Sequence, residues 1–204
     1  LNGLVELRGG TALEAGLLLA AAVASLLLFI WWQRRYAAQG GAPLMNLDLF
    51  NFRPFAMGSI VSVIYGTALF GSTYLLPVYM QQALQLSASH VGTILLPAGI
   101  VLAVTIAVVG RLADKQPTWL LVSIGLALLA ASFALMWLVR LDSALWLLVA
   151  LAVLGRIGLG FILPSLNLGA MRPLHKHLIP QGSSAINFLR MLGGATGVSL
   201  CGIV

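Results

Sequence analysis

Two arginines stand inside long apolar runs of this 204-residue chain, and a charge in that setting needs a physical reason. Arg156 falls near the middle of the run Ala144 to Leu168. An arginine at the centre of a bilayer-spanning helix costs about 2.5 to 3.5 kcal/mol on the insertion scale. On a helical period Gly160, Pro164 and Asn167 share its face, a stripe of small, helix-bending and polar groups that suits a bundle interior or a water-filled path. Arg156 therefore either bonds backbone carbonyls and fixes helix packing, or lines a transport path. Arg190 poses the same choice in the run Ala185 to Val204, about 10 Å along its helix from the cytoplasmic end. Ser183, Asn187, Gly194 and Gly197 recur on its face, and Gly193 with Gly197 forms the G-x-x-x-G pattern that permits close helix approach. Arg190 either snorkels and packs or contributes to the path. A third polar face, Ser62, Gly66, Thr73 and Pro77 with Tyr65 and Tyr74 close by in sequence, lies in the run Pro54 to Met80. Pro77, Pro97 and Pro164 each free a carbonyl inside an apolar run, which bends a helix and suits rocking elements as well as static ones. Phe70, Tyr74, Met136 and Phe161 lie deep enough to contact an apolar ligand or simply to pack.

The elements that hold these residues follow from composition. Hydrophobic residues make up 60% of the chain and charged residues 8%, against the roughly 25% charged of a soluble domain. A soluble globular protein is excluded. Six apolar runs, about 13–32, 54–80, 91–109, 119–139, 144–168 and 185–204, are each long enough to cross a hydrocarbon core of about 30 Å as a helix. None alternates as a barrel strand must. The expected fold is an all-α membrane protein, a single multi-span helical bundle over residues 1–204. The net charge of +6 is spread singly between the runs and forms no basic stripe, so nucleic acid is not an expected partner. Those charges instead set topology. Arg34, Arg35, Arg53, Arg111, Lys115, Arg172 and Lys176 fall in one set of alternate connections, against only Arg8 and Arg140 in the other. The first set is placed in the cytoplasm. The tryptophans Trp31, Trp32, Trp119, Trp137 and Trp146 sit near run ends, as an interfacial belt does.

Other chemistry finds little support. The lone Cys201 closes no intrachain disulfide, and no Cys or His spacing resembles a metal motif, so no metal or cofactor is expected. His175 and His177 flank Lys176 in a loop, not at a recurrent ligand spacing. Glu14 opens the first run, where a carboxylate suits a helix N-terminus, and Asp114, between Arg111 and Lys115, is a loop acid or cap. An intramembrane enzyme needs a buried nucleophile with a base in reach, and His90, His175 and His177 all fall in connections. The chain is not read as an enzyme. An outside start with no signal peptide suggests an internal or C-terminal piece of a longer chain.

Four stretches add a resemblance. They are P-L-M-N-L-D-L-F-N-F-R-P-F from Pro43, Y-L-L-P-V-Y-M-Q-Q-A-L-Q-L-S-A-S-H-V-G from Tyr74, G-R-L-A-D-K from Gly110, and G-R-I-G-L-G-F-I-L-P-S-L from Gly155. With S-S-A-I-N-F-L-R-M-L-G-G-A-T-G from Ser183, they resemble in order the C-terminal portion of EmrB/QacA-type drug:proton antiporters, a 14-helix branch of the major facilitator superfamily. The resemblance implies a secondary transporter that expels amphipathic, often cationic drugs in exchange for protons by alternating access. Its location would be the bacterial cytoplasmic membrane, and its partners the lipid bilayer, the substrate with protons, and the N-terminal helices of the same transporter. It implies a cytoplasmic gating contact at Gly110, Asp114 and Lys115, and matches an N-x-x-R pattern at Asn187 and Arg190. Gln116, Pro117 and Thr118 depart from the usual glycine and basic ending of that loop signature. The family's membrane-embedded acids lie in helices upstream. A non-transporting membrane fragment or assembly subunit stays open as the alternative.

Overall fold

The computed structural model describes residues 47–138 and 145–203, with Ala20, Ala21, Ala24, Ser25, Leu27, Leu28, Trp31, Trp32 and Arg35 also helical. The run expected at 13–32, with Glu14, falls largely outside the described residues, as do Arg8, Arg34 and Arg140. Five long helices follow: α1 (Arg53–Gln82), α2 (Ala88–Ala113), α3 (Thr118–Met136), α4 (Leu145–Met171) and α5 (Ile179–Ile203). Short 3-10 turns occupy Leu47–Asn51 and Lys176–Leu178. No strand occurs among the described residues. The protein is an all-α membrane protein. By length and apolar content α1, α2, α3 and α4 can each cross a bilayer. The fifth helix has the length, 25 residues, but carries Gln181, Ser183, Ser184, Asn187 and Arg190 and is not among those four.

Local chemistry sets the helix ends. Pro54 and Pro180 lie in the first turns of α1 and α5, where the missing N–H would have no helical partner. Ser87 has extended backbone before α2, and its hydroxyl accepts the His90 N–H at 3.4 Å. That cap starts α2 earlier than the apolar run at Val91 suggests, because capping reads the polar residues before the run. Arg111 in the last turn of α2 complements the helix dipole. Pro117, itself extended, forces the break between α2 and α3. The third helix stops at Met136, and Trp137 and Leu138 form a turn where the sequence suggests continued helix. Between α1 and α2 the chain reverses through Gln85, whose φ of 53° is left-handed, while its side-chain amide donates to the Gln82 carbonyl at 2.7 Å.

The chain divides into two compact units, one comprising residues up to Gly71 together with Pro173 onward, the other Ser72–Arg172. In the second unit α4 is the central helix and packs on both α2 and α3. Its buried side includes Leu148, Leu151, Ala152, Leu159, Ile162, Leu166 and Ala170. Where α3 crosses α4, a Cβ on Gly158 would lie 2.8 Å from the Gly125 carbonyl oxygen, and one on Gly125 2.7 Å from that of Gly158. Backbone therefore touches backbone, the close approach that drives helix association in a solvent as apolar as the side chains. One apolar cluster of this unit gathers Leu76, Met80, Val91, Ala98, Leu148 and Ala152; another joins Val109, Ala113 and Leu121.

In the other unit the first part of α1 packs against α5. The Ser62 hydroxyl donates to the Ile186 carbonyl at 2.8 Å, and Thr67 Oγ1 donates to that of Gly193 at 2.9 Å. Both donors reach across from α1 to α5, in a medium with no water to replace such bonds. Phe50 and Phe55 pack edge to face at 5.4 Å near the start of α1.

Candidate functional site

Arg156 is half-buried on α4, and its Nη2 donates to the Thr73 hydroxyl of α1 at 3.0 Å. The partner comes from the polar face of α1 that also carries Pro77. Beside it Ser132, on α3, is buried and donates through its hydroxyl to the Leu151 carbonyl of α4 at 2.7 Å. Gly155 makes room for that hydroxyl, since a Cβ there would lie 2.9 Å from Ser132 Oγ. Ser72, Ser132, Gly155 and Arg156 share the wall of a cavity of about 20 Å³ with Leu76 and Met136. A volume of that order holds roughly one water. Leu76 and Met136 also line a second, mainly apolar cavity of about 240 Å³ with Leu75, Tyr79 and Leu148. Three helices thus converge near Arg156: α1 supplies Ser72, Thr73 and Leu76, α3 supplies Ser132 and Met136, and α4 supplies the arginine.

Other residues singled out by sequence fall elsewhere. Asn167 is exposed and lies three turns further along α4, about 16 Å from Arg156 by helical rise, so the shared stripe does not bring the two together. Gly160 on the same stripe meets Thr105 of α2, whose Cγ2 would lie 2.6 Å from an added Cβ. Tyr74, next to Thr73, is exposed, as Thr73 itself is. Pro77, Pro97 and Pro164 lie inside α1, α2 and α4. Arg190 donates to the Asn187 side-chain oxygen one turn back on α5, so the N-x-x-R pair is joined within its own helix. Gly193 and Gly197 face α1: a Cβ would lie 2.2 Å from the Val63 carbonyl oxygen at the first and 2.8 Å from that of Thr67 at the second. Phe70 packs on Gly194. Phe161 lies against Gly125, and Met136 against the two cavities.

At the loop after α2, Gly110 has open space around it, while Asp114 and Lys115 are exposed at the helix end. The Lys115 N–H donates to the Leu112 carbonyl at 3.0 Å, a turn of backbone rather than of side chains. Arg172, at the end of α4, reaches the Ala113 carbonyl at 3.3 Å and ties the two helix ends of this face together. Sequence reasoning placed Thr73 on a polar face but did not select it as the partner of Arg156, and it missed Ser132 altogether. The available signal for Ser132 was its position seven residues from Gly125, two turns along one face of an otherwise apolar run.

Comparison with known proteins places these features in context. The chain is 30% identical over 165 residues to a multidrug resistance protein B homolog of Mycobacterium tuberculosis, covering 79% of this chain and 30% of that protein. It is 32% identical to the lincomycin resistance protein LmrB of Listeria innocua, with 78% of this chain and 34% of that protein covered. It is 26% identical to the multidrug transporter protein MdtP of Bacillus subtilis, with coverages of 79% and 30%. The chain thus spans about a third of the length of these relatives. Residues 4–198 match the family profile of the Major Facilitator Superfamily. Long apolar helices, joined backbone to backbone through glycine, accompany a match over nearly the whole chain, and the protein belongs to the Major Facilitator Superfamily.

Proposed function

We propose that this chain is one membrane-embedded part of a secondary transporter that moves amphipathic or cationic compounds out of the cell in exchange for protons, by alternating access, in the bacterial cytoplasmic membrane. The single observation that carries the reading is the placement of Arg156. A cation halfway along a spanning helix, bonded to Thr73 of a second helix and bordering a cavity that adjoins an apolar one, is the arrangement of a solute path. The names of the relatives, which include a multidrug transporter and lincomycin resistance proteins, point to drug-like solutes. The segment works together with the further helices that such relatives carry, and α5 crosses the membrane as the fifth helix of the set. Pro77 and Pro164, in the two helices joined by the Arg156–Thr73 bond, supply bends at which they can rock.

The test is efflux of Nile red, a neutral amphipathic dye, from energised cells that produce the protein, with and without a protonophore. Protonophore-sensitive efflux that falls in Arg156→Ala, while the variant inserts at wild-type abundance, is the expected result. Normal efflux from a well-inserted Arg156→Ala removes the pathway role of that residue, and efflux indifferent to the protonophore removes proton coupling.

A further inference from the structure

Three helix ends meet where α2 passes into α3. Arg172, just past α4, donates to the Ala113 carbonyl at the end of α2 at 3.3 Å. The start of α3 lies against α4, since a Cβ on Gly169 would lie 2.9 Å from Thr118 Oγ1. Only Asp114 to Pro117 separate α2 from α3, and the Lys115 and Gln116 N–H groups both donate to the Leu112 carbonyl, which keeps that turn tight. Arg111, Lys115 and Arg172 are gathered at this junction, and all three are exposed. Asp114 is the only acid in the connection. Pairing within the chain cannot remove the excess of cations on this side. The connections that alternate with it in sequence hold Arg34, Arg35, Arg53, Arg111, Lys115, Arg172 and Lys176 against Asp48 and Asp114, while Glu6, Glu14 and Asp142 fall at the opposite ends of the apolar runs. Asp142 in particular lies beyond the far end of α3, a helix of 19 residues and so about 28 Å long. Trp119, the second residue of α3, is 69% exposed. A tryptophan exposed at the end of a spanning helix sits at the level of the lipid headgroups, which puts the neighbouring cations at the depth of lipid phosphates.

We propose that Arg111, Lys115 and Arg172 form a binding site for the phosphate headgroup of an anionic phospholipid of the cytoplasmic leaflet, with Trp119 at the level of its ester groups. The site is separate from the solute path around Arg156 and does not depend on what the protein transports. Three physical arguments support it. A guanidinium has five N–H donors, so Arg172 can hold the Ala113 carbonyl and still present a fork to phosphate oxygens. That backbone bond also fixes the guanidinium beside Lys115, so less side-chain freedom is lost when a phosphate arrives. Basic clusters at the cytoplasmic ends of spanning helices attract anionic lipid by about fivefold in affinity per Lys or Arg, and this one joins the ends of two helices instead of lying along a single loop. A phosphate held there bridges α2 and α4, and therefore stabilises the junction.

The experiment uses the full-length protein in detergent, titrated with phosphatidylglycerol or phosphatidylcholine of the same acyl chains, with bound lipid counted by native mass spectrometry and stability read as the melting temperature. Wild-type protein is expected to bind phosphatidylglycerol at least about tenfold more tightly than phosphatidylcholine and to melt higher with it. The double variant R111Q/K115Q, which alters two exposed side chains and keeps the Arg172 bond, is expected to weaken phosphatidylglycerol by about 25-fold, to leave phosphatidylcholine unchanged and to lose the rise in melting temperature. The control R53Q/K176Q removes the same charge from other connections of the cytoplasmic set, and is expected to weaken phosphatidylglycerol by less than about threefold, the screened effect of more distant charges. Equal binding of the two lipids by wild-type protein overturns the proposal and needs no variant to fold. Equal losses in the two double variants overturn it as well, because the attraction then belongs to net charge and not to a site. Inorganic phosphate added at fixed ionic strength is expected to leave bound phosphatidylglycerol in place; its displacement would assign the cluster to a soluble anion and overturn the lipid assignment.

Discussion

Replacing Gly66 by alanine tests whether the α1–α5 contact is as close as it stands. A Cβ at Gly66 would lie 2.0 Å from the Arg190 carbonyl oxygen and 3.0 Å from the Gly194 nitrogen, all of it backbone that cannot swing aside. Contacts under 3.0 Å essentially never occur for real Cβ atoms, so the two helices must separate by at least about 1 Å. That movement stretches the Ser62 bond to Ile186, now 2.8 Å, and the Thr67 bond to Gly193, now 2.9 Å, to roughly 3.8 Å, past the ~3.2 Å limit of a useful hydrogen bond. Overpacking costs about 1 to 3 kcal/mol, and an interhelical hydrogen bond in a membrane about 0.6 kcal/mol. The combined loss is about 2 to 4 kcal/mol. Cys201, the single cysteine of these 204 residues, lies on α5 with its Sγ 3.5 Å from the Cβ position of Gly71 on α1, so its thiol reports on the same helix pair. The assay is thermal unfolding in detergent, read by a thiol-reactive dye at Cys201. Gly66→Ala is expected to lower the melting temperature and speed labelling. The control, Gly99→Ala on α2, has open space around its Cβ and gains helix propensity of up to about 1 kcal/mol, so it should match or exceed the wild type. Wild-type melting and labelling in Gly66→Ala, or an equal loss in Gly99→Ala, would refute the packing argument.

Two further outcomes follow from buried hydroxyls and from Arg190. Ser165 is fully buried on α4, and its hydroxyl has no hydrogen-bond partner among the described residues; Ser165→Ala should therefore leave melting unchanged or raise it by up to about 1 kcal/mol in stability, while Ser132→Ala, which frees the Leu151 carbonyl, should lower stability by about 1 kcal/mol, and the reverse order in a melting series would refute both assignments. Arg190→Ala breaks the bond to Asn187 and is expected to reduce Nile red efflux or its proton dependence more than membrane abundance; a loss confined to abundance, measured by quantitative blotting, assigns Arg190 to packing alone.

The linear chain settles the solvent and the element type. With 60% hydrophobic and 8% charged residues, no soluble core could absorb the apolar runs, and in a bilayer a helix is the local way to satisfy every backbone group. The prolines at 54, 117 and 180 mark helix starts because their restriction acts on immediate neighbours. The exceptional residues Arg156, Arg190, Gly193 and Gly197 were also legible, since each departs from the apolar pattern around it. Their partners were not. Helical periodicity puts Gly160 and Asn167 on the face of Arg156, but a face is wider than a contact: Gly160 meets Thr105, Asn167 is exposed, and the bond of Arg156 goes to Thr73, far away in sequence. Gly193 and Gly197 carry no mark in the chain that names Val63 and Thr67 as what they approach. Ser132 looked like one hydroxyl in an apolar run until α4 brought the Leu151 carbonyl to it. Pattern along the chain reports what a residue must avoid, lipid or water, because that is a property of the residue itself. Which helix covers it depends on crossing points between segments distant in sequence, and only tertiary packing determines those.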